Sequence, residues 1–328
     1  MIKEIFSRAT LNALWVFCAV PYREFYLREL AREAKISPAH TTRILKTLRE
    51  QNIVKHRKSG RQDFYRLNLD SPLARKIFDL YCVDRRLNLP SGFRAALEEF
   101  VRKLKRELGN NLISIVLFGS LAKGKIRPES DIDILIVAED VLKTRDTARD
   151  LFSEISIFYD KLIEEHVYSR EDFDSAYKQG NDLIINTLKN GLILHDNEFY
   201  IEYLKKELPT PSKEHIQNTL DFARKNLKNA EELISKDNAS AIIPLRMVVR
   251  DSGRALLLTK DEIPGSRHEL GKQIKRFNKG YGRLIEDINR KYEQHMKEGK
   301  EIKKELLLRY LEKAEKFLRE VIEVFESA

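Results

Sequence analysis

The chain has 328 residues, 42% hydrophobic and 34% charged, with 60 Lys and Arg against 51 Asp and Glu and a formal net charge of +9. This balance, with only 13 Gly and 9 Pro, excludes fibrous, low-complexity and disordered classes. No apolar run reaches the roughly 20 residues of a membrane span, no signal-peptide pattern opens the chain, and Cys18 and Cys82 offer neither a disulfide framework nor a zinc motif, so a soluble, cytoplasmic chain of two or three domains is expected.

The charge is concentrated. Residues 1–75 hold 15 Lys and Arg against 7 Asp and Glu, a balance of +8, and the remaining 253 residues carry +1. A polyanion-binding module is therefore expected at the N-terminus. Leu11, Leu14, Trp15 and Cys18 recur at helical spacing, and Tyr26 to Ala34 reads as a short amphipathic helix. Ser37-Pro38 restarts a helix: Ser37 can cap free N–H groups, and Pro38 suits a first helical position where no N–H is needed. Through Gln51 this helix turns Ile44, Leu45 and Leu48 inward, leaving His40, Thr41, Arg43, Lys46 and Thr47 for the outside. Two strand-like runs, 53–58 and 62–67, meet at Ser59-Gly60-Arg61.

This order of elements resembles a winged helix-turn-helix domain of the archaeal and bacterial regulator type. The resemblance implies double-stranded DNA as partner. His40, Thr41, Arg43 and Lys46 would enter the major groove, and Arg57, Lys58 and Arg61 of the wing would touch phosphate or minor groove. Winged helices also serve as docking or dimerisation modules, and a homodimer is a further expectation.

After a connecting region, Pro72 to Pro90, and a charged helix, 91–108, a buried strand at 112–118 runs into Gly119-Ser120. After a gap of ten residues from Ser120, a second apolar strand opens with Asp131-Ile132-Asp133. Strand alternation sets Asp131 and Asp133 on one face, with Ile132 and Ile134 on the other. Paired carboxylates at the head of a buried strand make a hard-cation site suited to Mg²⁺ or Mn²⁺. Gly119 would let backbone approach a phosphate, Ser120 could donate to it, and Lys123, with Lys125 or Arg127, could add countercharge. Nucleotidyl transfer needs this combination.

Gly119-Ser120-Leu121-Ala122-Lys123-Gly124, the ten-residue gap and Asp131-Ile132-Asp133 together resemble the DNA polymerase β-like minimal nucleotidyltransferases. Lys123 stands where that family usually carries Arg. The resemblance implies an NTP substrate, ATP among them, held by Gly119, Ser120, Lys123 and Ser130. It also implies Mg²⁺ or Mn²⁺ on Asp131 and Asp133, and a third carboxylate from a later strand. The strand over 161–168 offers Glu164 and Glu165 on opposite faces, so only one of them can join. Distance from the strand's end favours Glu164, whereas alternation by itself does not choose. A helix over 181–189, a stop at Gly191 and a strand over 192–195 close this part.

Pro209-Thr210-Pro211 punctuates the chain, and helical periodicity continues from Ser212 to the end, as in an antiparallel bundle of four or five helices. The order of parts resembles archaeal proteins in which a HEPN-type bundle follows the transferase, and Arg290 and His295 match the spacing of the HEPN ribonuclease pair. The expected fold class is multidomain α+β: winged helix-turn-helix (1–75), polymerase β-like mixed sheet with helices (76–208), then α-helical bundle (209–328). The expected enzyme is a metal-dependent nucleotidyltransferase moving a nucleoside monophosphate from an NTP to a hydroxyl on a protein, an RNA or a small molecule. A nucleotide-sensing DNA-binding regulator and a HEPN-type ribonuclease are the alternatives.

Overall fold

The computed structural model describes residues 7–124, 126, 131–159, 161–236 and 238–328, and among these the side chains of all but Arg267 and His268. The chain divides into two compact units, one of residues up to 175 with 186–208, the other of 176–185 with 209–328. No helix among the described residues is long and apolar enough to cross a membrane.

The first unit opens with α1 (Arg8–Ala19), whose N-terminus is capped by Ser7 Oγ accepting from the Thr10 N–H at 3.1 Å. Helix α2 (Leu27–Ala34) stops at Lys35, which adopts the left-handed conformation. Helix α3 (Pro38–Glu50) starts as its sequence requires: Ser37 Oγ accepts the His40 N–H at 3.3 Å, and Pro38 occupies the first turn. Strands β2 (Val54–Ser59) and β3 (Gln62–Leu67) pair antiparallel around Gly60, whose φ of +58° suits the tight turn. A strand missing from the sequence reading, β1 (Phe25–Tyr26), adds to β3 and sets Phe25 opposite Tyr65. Two residues carry no periodicity, and their partner lies some forty positions away.

The stretch from Pro72, expected to be a connection, is instead the sixteen-residue helix α4 (Pro72–Leu87). Its proline sits in the first turn, where it initiates a helix, and Ala74, Ile77, Phe78, Tyr81 and Cys82 are buried. The expected domain boundary at residue 75 falls inside this helix. Both cysteines are reduced and buried, and burial pushes the Cys82 thiol up to about 12.

Helix α5 (Ser91–Leu108) leads into a four-stranded mixed sheet of order β6-β5-β4-β7. Strands β4 (Leu112–Phe118) and β5 (Ile132–Ala138) form its centre and read as continuous apolar runs because both faces are covered. Between them lies the short helix α6 (Gly119–Ala122). β4 runs antiparallel to β5 and to β7 (Leu192–Asp196), whereas β5 runs parallel to β6 (Ile163–Tyr168). A parallel neighbour needs a crossover, which α7 (Val141–Tyr159) provides. Helices α8 (Arg170–Lys178), α9 (Asp182–Asn190) and α10 (Tyr200–Leu204) follow along the chain; α8 and α10 are not among the elements the sequence predicts.

In the second unit, α11 (Lys213–Ser235), α12 (Ile242–Thr259), α13 (Arg267–Ile274), α14 (Lys279–Glu298) and α15 (Lys304–Glu326) enclose one apolar core. Leu220, Leu245, Val248, Ile288 and Phe317 lie at its centre, and Tyr281 stacks on Phe317 with ring centroids 4.3 Å apart. This unit also holds a buried ion pair. Asp182, at the start of α9, takes two hydrogen bonds from Arg254, at 3.0 and 2.6 Å.

Candidate active site

The head of β5 organises the site. The Ile132 N–H is bonded to the Leu162 carbonyl at 2.8 Å, and from there β5 and β6 run in register. Asp133 consequently faces Phe118 of β4 on one side and Glu164 of β6 on the other. Residues that pair across a sheet project from one face, so Glu164, not Glu165, shares the face of Asp133. Glu165 pairs with Ile134 on the opposite face.

Gly119 follows Phe118 with φ +73°, a left-handed conformation that favours glycine. A Cβ built there would lie 1.8 Å from Asp133 Oδ2. The sequence suggested that this glycine admits a phosphate; the geometry adds that it admits the Asp133 carboxylate. Ser120 and Lys123 follow, both partly exposed, and the Lys123 N–H closes the turn on the Gly119 carbonyl at 3.3 Å. Asp131 and Asp133 are both half-buried, while Ile132 and Ile134 between and beyond them are fully buried. Ser130, Lys125 and Arg127 lie outside the described residues.

Two groups near these residues escaped the sequence reading. Arg85 of α4 donates to the Ala122 carbonyl at the end of α6 and to the Tyr81 hydroxyl at 3.0 Å, tying the Gly-Ser turn to α4. It lies in the stretch that the sequence presents as a connecting region, Pro72 to Pro90. His166, two residues past Glu164 and on the same face, holds Nε2 3.7 Å from Glu164 Oε1 and its ring 5.5 Å from that of Phe118. Burial lowers the His166 pKa, opposed by the neighbouring Glu164 and Glu165 charges. Its spacing from Glu164 was the available signal.

A model of the nucleotidyltransferase domain matches residues 97–195. A Methanocaldococcus jannaschii protein named "putative protein adenylyltransferase" is 35% identical over 118 residues, which span 34% of this chain and 79% of that protein. A second protein of that organism and that name is 36% identical over 100 residues, spanning 30% of this chain and 95% of its own length. The chain belongs to the nucleotidyltransferase domain family. A spectinomycin adenyltransferase from Enterococcus faecialis, solved with ATP and spectinomycin, aligns over 69% of this chain and 98% of its own at 18% identity, with a TM-score of 0.42.

As a nucleotidyltransferase, the enzyme takes a nucleotide as substrate, and the donor set can be tested against the metal its family implies. Among the described residues no group of three or more His, Cys, Asp and Glu side chains forms a ready-made metal cage. Mg²⁺ does not require one: it is commonly held by one or two carboxylates, with substrate phosphates and water completing its octahedron. Asp133 on the strand and Asp131 just ahead of its first residue, both half-buried and with the Asp133 carboxylate seated in the space left by Gly119, fit that kind of binding.

The residues expected to meet DNA divide differently. His40, Arg43 and Lys46 are exposed on α3, and Lys58 and Arg61 are exposed at the β2–β3 turn. Thr41, expected to face outward, is fully buried and donates to the Ser37 carbonyl at 3.0 Å. It stands three, four and seven residues before Ile44, Leu45 and Leu48, so helical geometry places it on their stripe. Arg57 is held by Glu24 at 3.1 and 2.5 Å and lies over the Phe64 ring. In the second unit Arg290 is paired with Asp287, and His295 Nδ1 lies 2.9 Å from the Lys300 carbonyl.

Proposed function

We propose that this protein is a Mg²⁺-dependent adenylyltransferase that moves AMP from ATP to a hydroxyl on a protein, and that a winged helix at residues 1–75 couples this chemistry to DNA. The division of labour is 1–75 for duplex binding, 76–208 for transfer, and the HEPN-like bundle, 209–328, for substrate or partner recognition. The reading is carried by one row of the sheet. Phe118, Asp133 and Glu164 stand in register, with the Asp133 carboxylate in the space a Gly119 side chain would fill.

Asp131 and Asp133 would hold the metal, which when bound neutralises charge on the triphosphate. Gly119, Ser120 and Lys123 would hold the phosphates. The acceptor oxygen attacks the α-phosphorus, the bond from that phosphorus to the oxygen bridging to the β-phosphate breaks, and pyrophosphate leaves. The acceptor's proton passes to Glu164 and from there to water. Adenylyl as the group and protein as the acceptor rest on the names of the archaeal relatives. Ile157, Phe158 and Leu162, large apolar side chains exposed where α7 ends and β6 approaches, suit a polypeptide better than an anionic RNA.

The test offers each of the four NTPs, α-labelled, with Mg²⁺ and a lysate of the source cell. Label is expected to move from ATP to protein and to fall by about 100-fold or more in Asp131→Asn. Nucleotide binding with no transfer to protein, RNA or small molecules would remove the catalytic reading and leave a nucleotide-sensing regulator.

The DNA reading rests on the +8 balance of residues 1–75 and on the exposed cations of α3 and the hairpin turn. Lys58→Ala with Arg61→Ala is expected to make the slope of log affinity against log salt shallower by roughly 2, whatever the duplex sequence. Arg43→Ala is expected to weaken a selected site more than random duplex. Equal losses on both duplexes would take α3 out of the major groove.

A further inference from the structure

We propose that the outward face of α4 is a self-pairing surface, through which two copies of this chain form an antiparallel two-helix seam. This inference is independent of the acceptor the transferase uses. Helix α4 buries Ala74, Ile77, Phe78, Tyr81 and Cys82 within its own unit. At 100° per residue the opposite side of such a helix should be polar. It carries instead Leu73, Leu80, Val83 and Leu87, exposed by 37, 47, 38 and 55%. Leu73, Leu80 and Leu87 recur every seven residues, and Val83 follows Leu80 by three, which is the spacing of side chains that meet across a pair of helices.

Charge selects both the occupant and its direction. Lys76 stands within this stripe and Asp84 at its border. In a parallel pair related by a two-fold axis, each Lys76 would meet the Lys76 of the second copy, and like charges would face each other in the seam. An antiparallel pair centred on Leu80 sets Leu80 against Leu80, Leu73 against Leu87, and Lys76 against Asp84 of the second copy. Opposite charges then meet twice, once on each side of the axis. Within its own chain Asp84 accepts from the Trp15 indole at 3.2 Å through Oδ2, and Lys76 lies 3.5 Å from Asp79 on the same exposed side. The face is therefore complementary to itself in the order of its apolar side chains and in charge.

A seam of sixteen residues is about 24 Å long and at the small end of interface sizes, so association is expected in the micromolar range. Sedimentation equilibrium of the full chain, from about 1 to 200 µM, would measure it. A dimer is expected, with Leu80→Glu weakening it by more than tenfold and an unchanged melting profile confirming that the variant is folded. Lys76→Glu should weaken it less, and Lys76→Glu with Asp84→Lys should restore it. Cysteine pairing gives a second readout that needs no charge reversal. Leu73→Cys chains mixed with Leu87→Cys chains should cross-link to each other, whereas Leu73→Cys chains should not cross-link among themselves. A monomer throughout, a dimer indifferent to Leu80→Glu, or self-linking Leu73→Cys chains would each overturn the proposal.

Discussion

Gly119→Ala is expected to lower kcat/KM for nucleotidyl transfer by about 100-fold or more, because a misplacement of about 1 Å at a reacting centre is enough for such a loss. The added methyl would sit 1.8 Å from Asp133 Oδ2 and 2.7 Å from its carboxyl carbon. No such contact can persist, and the far end of the Asp133 side chain is what can move. The carboxylate would rotate away from the face it shares with Glu164, and the fold would keep its backbone. The remaining cost is the strain of a non-glycine residue at φ +73°, about 1–3 kcal/mol. Gly60→Ala is the matched control. It meets a similar positive φ, +58°, with nothing within 4 Å of the added Cβ, so it should lose comparable stability and keep transfer activity. Steady-state kinetics and urea unfolding on the two variants separate the effects. Equal activity in both would mean that Asp133 does no work in the position it occupies.

Arg254→Leu is expected to cost the helical unit about 3–5 kcal/mol, the usual consequence of leaving one partner of a buried ion pair uncompensated. Asp182 is 5% exposed and accepts twice from Arg254, with His215 Nε2 3.4 Å away and Asp251 3.3 Å from the same guanidinium. Burial would raise the Asp182 pKa. The charge of Arg254, with the contacts from His215 and Arg254, outweighs burial and holds the carboxyl well below the usual carboxylate range. The sign of the pH dependence follows. A depressed carboxyl contributes stability that is fully present above its unfolded value, about 3.9, and is lost only as pH falls through its folded value. Without Arg254 the largest lowering cause is gone and the His215 contacts alone oppose burial, so the carboxyl shifts upward, and the variant's deficit is expected to be largest at neutral pH and to shrink on acidification as Asp182 takes a proton. Amide exchange along α12 reports this unit directly and is the measurement to make at pH 7 and pH 4. Arg224→Leu breaks the exposed Arg224–Asp221 pair and should cost less than about 1 kcal/mol. A similar small loss for Arg254→Leu would show that the buried group is already neutral.

Several features were readable without a fold because their causes are local. Ser37-Pro38 specifies a helix start through one side-chain oxygen and one missing N–H, and α3 begins there. The ten-residue gap between Ser120 and Asp131 ties two strands together; the first forms over the expected residues, and the second begins at Ile132, one residue later than the expected start at Asp131. Leu220, Ala223 and Ala230 face a core because 3.6-residue periodicity leaves no other side for them. The stretch after Pro72 misled for an equally local reason: proline punctuates a chain but also suits the first turn of a helix.

Other features depend on partners far away along the chain. Strand alternation put Glu164 and Glu165 on opposite faces and could not say which face held Asp133; the parallel register with β5 sets Glu164 beside it. Two residues at 25–26 become a strand only because β3 presents an open edge to them. Periodicity places Asp182 in a helix over 181–189, and only the fold buries it against Arg254, 72 positions later. Composition, caps and periodicity act over a few residues and are written in the chain; strand register, the pairing of buried charges and the close approach of Asp133 to Gly119 are contacts between distant segments, and they exist only once the backbone has closed around them.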